Sequence, residues 1–320
     1  MSHLVRDRKI NFLGWWMLFA VSALVVCLPS CSKAPEKPAT AEAQTYASPD
    51  DAGKALLAAA KSGNRDAILA IFGPEAKEII DSGDPIQNKE TVNAFVAAYE
   101  TMHRWRKMDD KTETMVIGVD NFSFPIPLRK NGNGRWFFDT AAGKDEILAR
   151  RIGRNELAAI DISAAIADAQ AQYFSQRHDG VKQYAQKFIS DEGKQNGLYW
   201  PSPEGQPRSP LGPLVAFATG EGYNVKPDSH QPFHGYYYHM LDKQGADAKG
   251  GAKSYLVNGK MTGGFAVVAY PAKYGDSGIM TFIINQGGVL YQKDLGKTTN
   301  EVASAITEFD PDKSWNPVEQ

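Results

Sequence analysis

The sequence predicts an α+β fold in two lobes. The first is an N-terminal helical region with a small curved antiparallel sheet. The second has a long helix followed by an antiparallel β-meander. Three observations carry this expectation. Val92, Phe95, Val96, Tyr99 and Met102 form an apolar stripe at helical spacing. The period then drops to two, as Phe122, Phe124, Ile126 and Leu128 alternate with Ser123, Pro125, Pro127 and Arg129. A second succession of helix and then short strands starts at Lys144.

Residues 1–30 read as a lipoprotein signal peptide. Arg6, Arg8 and Lys9 make a basic start, diluted by Asp7, and Ile10 to Val26 is apolar except for Asn11 and Ser22. Leu28-Pro29-Ser30-Cys31 then reads as a lipobox, with a small residue at the cut. Cys31 is expected to carry lipid; Cys27 is the weaker acceptor, because bulky Val26 precedes it. Two alternatives stand beside this reading. A run of roughly 18 apolar residues is long enough for a retained membrane anchor, and a plain cleaved signal needs no lipid. Ser32, not Asp, follows Cys31. In a Gram-negative cell that favours the periplasmic face of the outer membrane. The chain has 2 cysteines. Cleavage leaves one, occupied by lipid, so the mature fold must rest on its core and not on a disulfide.

Residues 31–47, rich in Pro, Ala, Lys, Glu and Thr, are expected to form a flexible tether. Residues 48–143 form the first lobe. Ser48 caps a helix with Pro49 in its first turn, and the helix runs to about Lys61. A short helix covers roughly Arg65 to Phe72, and a third follows Asn88. Met115 to Val119 reads as a strand. The proline-bearing run Phe122–Arg129 reads as an edge or bulged strand, because proline cannot donate to a ladder. Asn131-Gly132-Asn133-Gly134 is a tight-turn signal, returning into Arg135–Asp139.

Residues 144–320 form the second lobe. Lys144 to Gln176 is mostly helical with a break expected near Gly153, and Tyr184 and Phe188 are expected to extend the helical region. Leu214 to Gly220 reads as a short helix. The meander is placed near Tyr236–Leu241, Gly264–Tyr270, Ile279–Asn285 and Val289–Lys293, with Gly287-Gly288 as a hairpin turn. Thr299 to Thr307 closes the fold as a helix.

The charge balance excludes some partners. With 35 basic and 37 acidic residues the net charge is −2. Removing Arg6, Arg8 and Lys9 against Asp7 takes the mature chain to about −4, which points to no nucleic acid and no acidic lipid surface as partner.

The residue types that carry chemistry are few. Gly275-Asp276-Ser277-Gly278 has the look of a serine-protease nucleophile segment, but its surroundings do not match and it reads as a turn. His230, His234 and His239, with Asp228 nearby, are weak metal candidates; Pro232 and Gly235 argue against the helix that would bring them together. Asp139, Arg150, Arg151 and Glu156, with Tyr199 and Trp200, are the candidates for a ligand cleft between the lobes. The competing reading is an ion-paired helix face and an aromatic loop used for packing. No P-loop, dinucleotide fingerprint or zinc-protease helix is present, and no cofactor is expected.

An ordered series of segments resembles a bacterial exported family, domain of unknown function 2950. It includes Trp136-Phe137-Phe138-Asp139, Gly197-Leu198-Tyr199-Trp200-Pro201, Ser209-Pro210-Leu211-Gly212-Pro213-Leu214, His234-Gly235-Tyr236-Tyr237 and Gly278-Ile279-Met280-Thr281-Phe282. The resemblance implies a periplasmic or lipid-anchored protein and carries no catalytic residue. A fainter likeness to the globular heads of type IV pilins and pseudopilins lies in the second lobe, where a helix precedes a Gly288-Val289-Leu290-Tyr291 hairpin. The expectation that follows is an envelope lipoprotein, held to the membrane by its lipid, that binds or scaffolds an envelope protein and is not an enzyme. The alternative is a periplasmic small-ligand binder or enzyme that uses the cleft.

Overall fold

The computed structural model describes residues 43–203, 205, 206, 208–226 and 231–319. The leader, Cys31, most of the tether, Asp228 and His230 lie outside the described residues. The described chain falls within one compact unit, Ala39–Gln320.

Local signals set the first elements. Helix α1 (Pro49–Ser62) is capped by the Ser48 side chain, which accepts from the Asp51 amide, and it ends at Gly63 with φ 62°. Ala52, Leu56, Ala59 and Ala60 give it one buried face. Helix α2 (Arg65–Phe72) is capped by Asn64. Helix α3 (Lys77–Ile80) is a single turn. Helix α4 (Pro85–Thr101) starts before the expected Asn88, because the Asp84 carboxylate accepts from the amides of Ile86 and Gln87 and Pro85 sits at the first position.

The first sheet holds β1 (His103–Lys107), β2 (Thr112–Ile117), β3 (Phe122–Ser123), β4 (Leu128–Lys130) and β5 (Trp136–Phe138). Its order is β1-β2-β4-β5, with β3 also on β2. The expected single strand over Phe122–Arg129 is thus two strands. Pro125 and Pro127 withhold their donors, so the chain leaves the ladder between them and rejoins it at Leu128. The end of the expected tether is also ordered. Tyr46 exchanges backbone hydrogen bonds with Trp136 at 2.7 and 2.9 Å, and Arg135 reaches Thr45.

Helix α5 (Thr140–Ser175) is 36 residues long and runs unbroken through Gly153. One glycine costs a helix only about 1 kcal/mol, and packing on both sides of it outweighs that. After α5 the chain turns at Asp179-Gly180, both with positive φ, into a hairpin of β6 (Arg177–His178) and β7 (Val181–Lys182). Tyr184 and Phe188 therefore follow a hairpin, and the expected helical extension is absent.

Helix α6 (Gly212–Glu221) leads into β8 (Tyr236–Leu241) and β9 (Lys243–Gln244). Short ladders follow: β10 (Lys253–Ser254) on β9, then β11 (Leu256–Val257) with β12 (Lys260–Met261). The meander continues with β13 (Ala266–Pro271), β14 (Met280–Asn285) and β15 (Leu290–Asp294), then α7 (Thr299–Ser304) and β16 (Asn316–Pro317). The second sheet is antiparallel in the order β16-β15-β14-β13-β8. Consecutive residues of β13 and β14 are buried, so both faces of the sheet centre are covered. The turn at Gly287-Gly288 is as expected, with Gly288 at φ 76°.

The described residues form two hydrophobic cores. One gathers α1, α2, α4 and the first sheet around Leu56, Phe72, Tyr99, Met115 and Phe138. The other gathers α5, α6 and the second sheet around Ile166, Tyr236, Val268 and Ile283. Helix α5 serves both: Ile147 packs on the first, and Ala158 to Tyr173 on the second.

Candidate functional site

The middle of α5 carries a buried polar seam. Residues 151, 155 and 156 sit there, spaced to reach the turn between β13 and β14. The Arg151 guanidinium donates to the Asp276 carboxylate and to the Ile79 carbonyl. Both side chains of the ion pair are under 10% exposed, at 8% and 6%. Lys273 meets the other Asp276 oxygen at 2.6 Å. Fully buried Asn155 donates to the Ser277 carbonyl at 2.8 Å and accepts from Gln87 Nε2 at 2.7 Å. Glu156 accepts from the amides of Ile279 and Met280, both at 2.9 Å.

A second branch starts at Asp84. One carboxylate oxygen caps α4, and the other accepts from the Tyr223 hydroxyl at 2.7 Å and the Gly235 amide at 3.3 Å. Burial, and then the hydrogen bond to Asp84, push the Tyr223 hydroxyl far above its ordinary range. Gly235 sits at φ 75°, and a Cβ there would stand 2.4 Å from Asn155 Nδ2. Glycine is thus required both for the backbone angle and for the approach. His234 Nε2 lies 3.0 Å from Glu221 Oε2. Burial, and then the charge of Glu221, raise the Glu90 carboxyl above its ordinary value.

The sequence-predicted residues are spread along α5. Asp139 caps its start, accepting from the Ala142 amide and pairing with Arg129 at 3.1 Å. Arg150 pairs with Glu146, donates to the Ser123 carbonyl and covers the Phe122 ring, which clamps α5 to β3. Arg151 and Glu156 both meet the turn after β13. Tyr199 bridges Ile189, and Trp200 lies near Tyr173, at the far end of the helix. At about 1.5 Å per residue, α5 separates Asp139 from Tyr173 by roughly 50 Å. The six residues therefore occupy four places. His234 turns to Glu221, while His239 bonds the Ile306 carbonyl at 3.1 Å, with its basicity lowered by burial. Among the described residues no three His, Cys, Asp or Glu are grouped to hold a metal ion.

Ser277 is fully buried, and its hydroxyl is held by the Lys273 amide and carbonyl. Its environment is that of a turn residue, as the Gly-Asp-Ser-Gly reading expected. Sequence reasoning missed Asp84, Gln87 and Tyr223. Asp84-Pro85 was a visible cap signal, but the partner Tyr223 lies 139 residues away.

A separate open groove of about 270 Å³ lies at the C-terminal end of α5, lined in part by Gln172, Tyr173, Gln176, His178, Trp200 and Arg208. The loop behind it is closely tied. The Ser190 amide donates to the Tyr199 carbonyl and the Tyr199 amide to the Phe188 carbonyl, both at 2.8 Å. A Cβ on Gly197 would stand 2.7 Å from the Ile189–Ser190 backbone.

A family model described as a protein of unknown function, DUF2950, matches residues 43–318, nearly the whole described chain. No curated protein matches, and no solved structure does.

Proposed function

The chain belongs to the DUF2950 family, and from that premise we propose that it is an envelope lipoprotein whose folded part binds a partner and does not turn over a substrate. The observation that favours binding over turnover is the seam. Arg151, Asn155, Glu156 and Asp276 are spent on one another and on backbone groups. Side chains held in that way fasten elements together and are not poised for acid–base work. The envelope half is carried by Leu28-Pro29-Ser30-Cys31, with Cys31 as the lipid-bearing residue. In a Gram-negative cell the proposed address is the periplasmic face of the outer membrane, and the proposed partner is an envelope protein.

Two experiments separate the halves. Cells fed a clickable palmitate analogue should label the native protein and leave Cys31→Ser unlabelled; labelling that survives the substitution rejects the lipid anchor. Crosslinking in living cells should capture a reproducible partner that Cys31→Ser loses. Multiple turnover of a substrate by the purified protein, abolished by one polar substitution, would reject the binding half.

A further inference from the structure

We propose that the groove beside Trp200 binds an acidic oligosaccharide. The proposal rests on the binding reading above and gives it a site and a ligand class. Trp200 is half-buried against the second core, and the ladder behind it fixes its approach. An indole held so loses little freedom when it binds, and its electron-rich face attracts the C–H side of a sugar ring. Tyr173 is not a second such face: it is 3% exposed, and the His178 ring stacks on it at 3.6 Å. A proline-rich peptide needs a row of open aromatic faces, and a sugar needs only one.

The rim supplies the polar half of the match. Gln172 and Gln176 are exposed at the end of α5, and their amides have no hydrogen-bond partner among the described residues. Each amide offers two donors and an acceptor, which suits vicinal hydroxyls. Ser202 also lines the groove, and its hydroxyl oxygen is buried without a described partner. Arg208 brings a permanent positive charge, and no carboxylate stands among the described lining residues. A guanidinium so placed favours a carboxylate-bearing sugar over a neutral one.

The test is calorimetry on the full-length protein in detergent, with hexagalacturonate, cellohexaose and decaproline as probes. Hexagalacturonate should bind with a Kd of ~1 mM or tighter, and cellohexaose about tenfold more weakly. Trp200→Ala should abolish binding, and Arg208→Gln, an exposed change that spares the core, should weaken it about tenfold. Equal binding of both sugars, binding untouched by either variant, preference for decaproline, or no sugar binding would each overturn the proposal. A crosslinked envelope partner with no sugar bound would remove this site and keep the binding reading. Turnover of hexagalacturonate, lost with Trp200→Ala, would keep the site and reject that reading.

Discussion

Arg151 is costly to bury alone, and the fold surrounds it with Asp276 and the Ile79 carbonyl. Removing one partner strands a charge, which costs about 3–5 kcal/mol, whereas replacing both with apolar residues is often neutral or stabilising. Asp276→Ala should therefore lower the urea-unfolding free energy by ~3–5 kcal/mol, and Arg151→Met with Asp276→Leu by much less. A double variant as unstable as the single one would show that the charges themselves are needed. Asp191 makes a different case, because it is exposed. The Lys187 ammonium, and then the Asn196 amide, hold its carboxyl down from 3.8 to about 2. The fold prefers the ionised form. Its contribution is complete above 3.8 and disappears as pH falls toward 2. Lys187→Met should move the Asp191 titration, followed by carboxyl NMR, back toward the ordinary range; an unmoved midpoint would contradict the assignment.

Helix α5 keeps going where its sequence invites a stop. Gly153 is exposed, and a Cβ there meets nothing within 4 Å. Gly153→Ala should raise stability by about 0.5–1 kcal/mol, read as a higher urea midpoint with unchanged m. A loss of stability would mean the glycine accommodates a contact the helix needs. The same helix shows what was legible beforehand. Ser48-Pro49, Asn131-Gly132 and Gly287-Gly288 announce their elements because caps and turns are settled within a few residues. Asp179-Gly180 carried an equally local signal. It was overridden by the apolar spacing of Tyr184 and Phe188, which pack against the second core without being helical. The seam was only half visible. Arg151 and Glu156 were visible as members of a charged helix face, but Asp276 lies 125 residues from Arg151, and no local pattern joins them. Nor did the sequence show that Asp139 and Trp200 stand at opposite ends of one unbroken helix.

Across the molecule the two cores are tied by α5 and by polar bonds at its middle. Asn155 links Gln87 on α4 to the Ser277 carbonyl after β13. Asp84 links the start of α4 to Tyr223 and Gly235. Such bonds hold only if both cores are folded, because each brings a partner from a different core. A helix shared along its length adds to this, since neither core can shed α5 and keep its own packing. The slowest-exchanging amides of β2 and of β14 should therefore open with one common free energy in native-state hydrogen exchange. Asn155→Leu leaves the Gln87 amide and the Ser277 carbonyl buried and unpaired, at about 1–3 kcal/mol each. It should lower protection in both sheets together. If β14 loses protection while β2 keeps it, the seam belongs to the second core alone, and the two cores fold as independent units joined only by the chain.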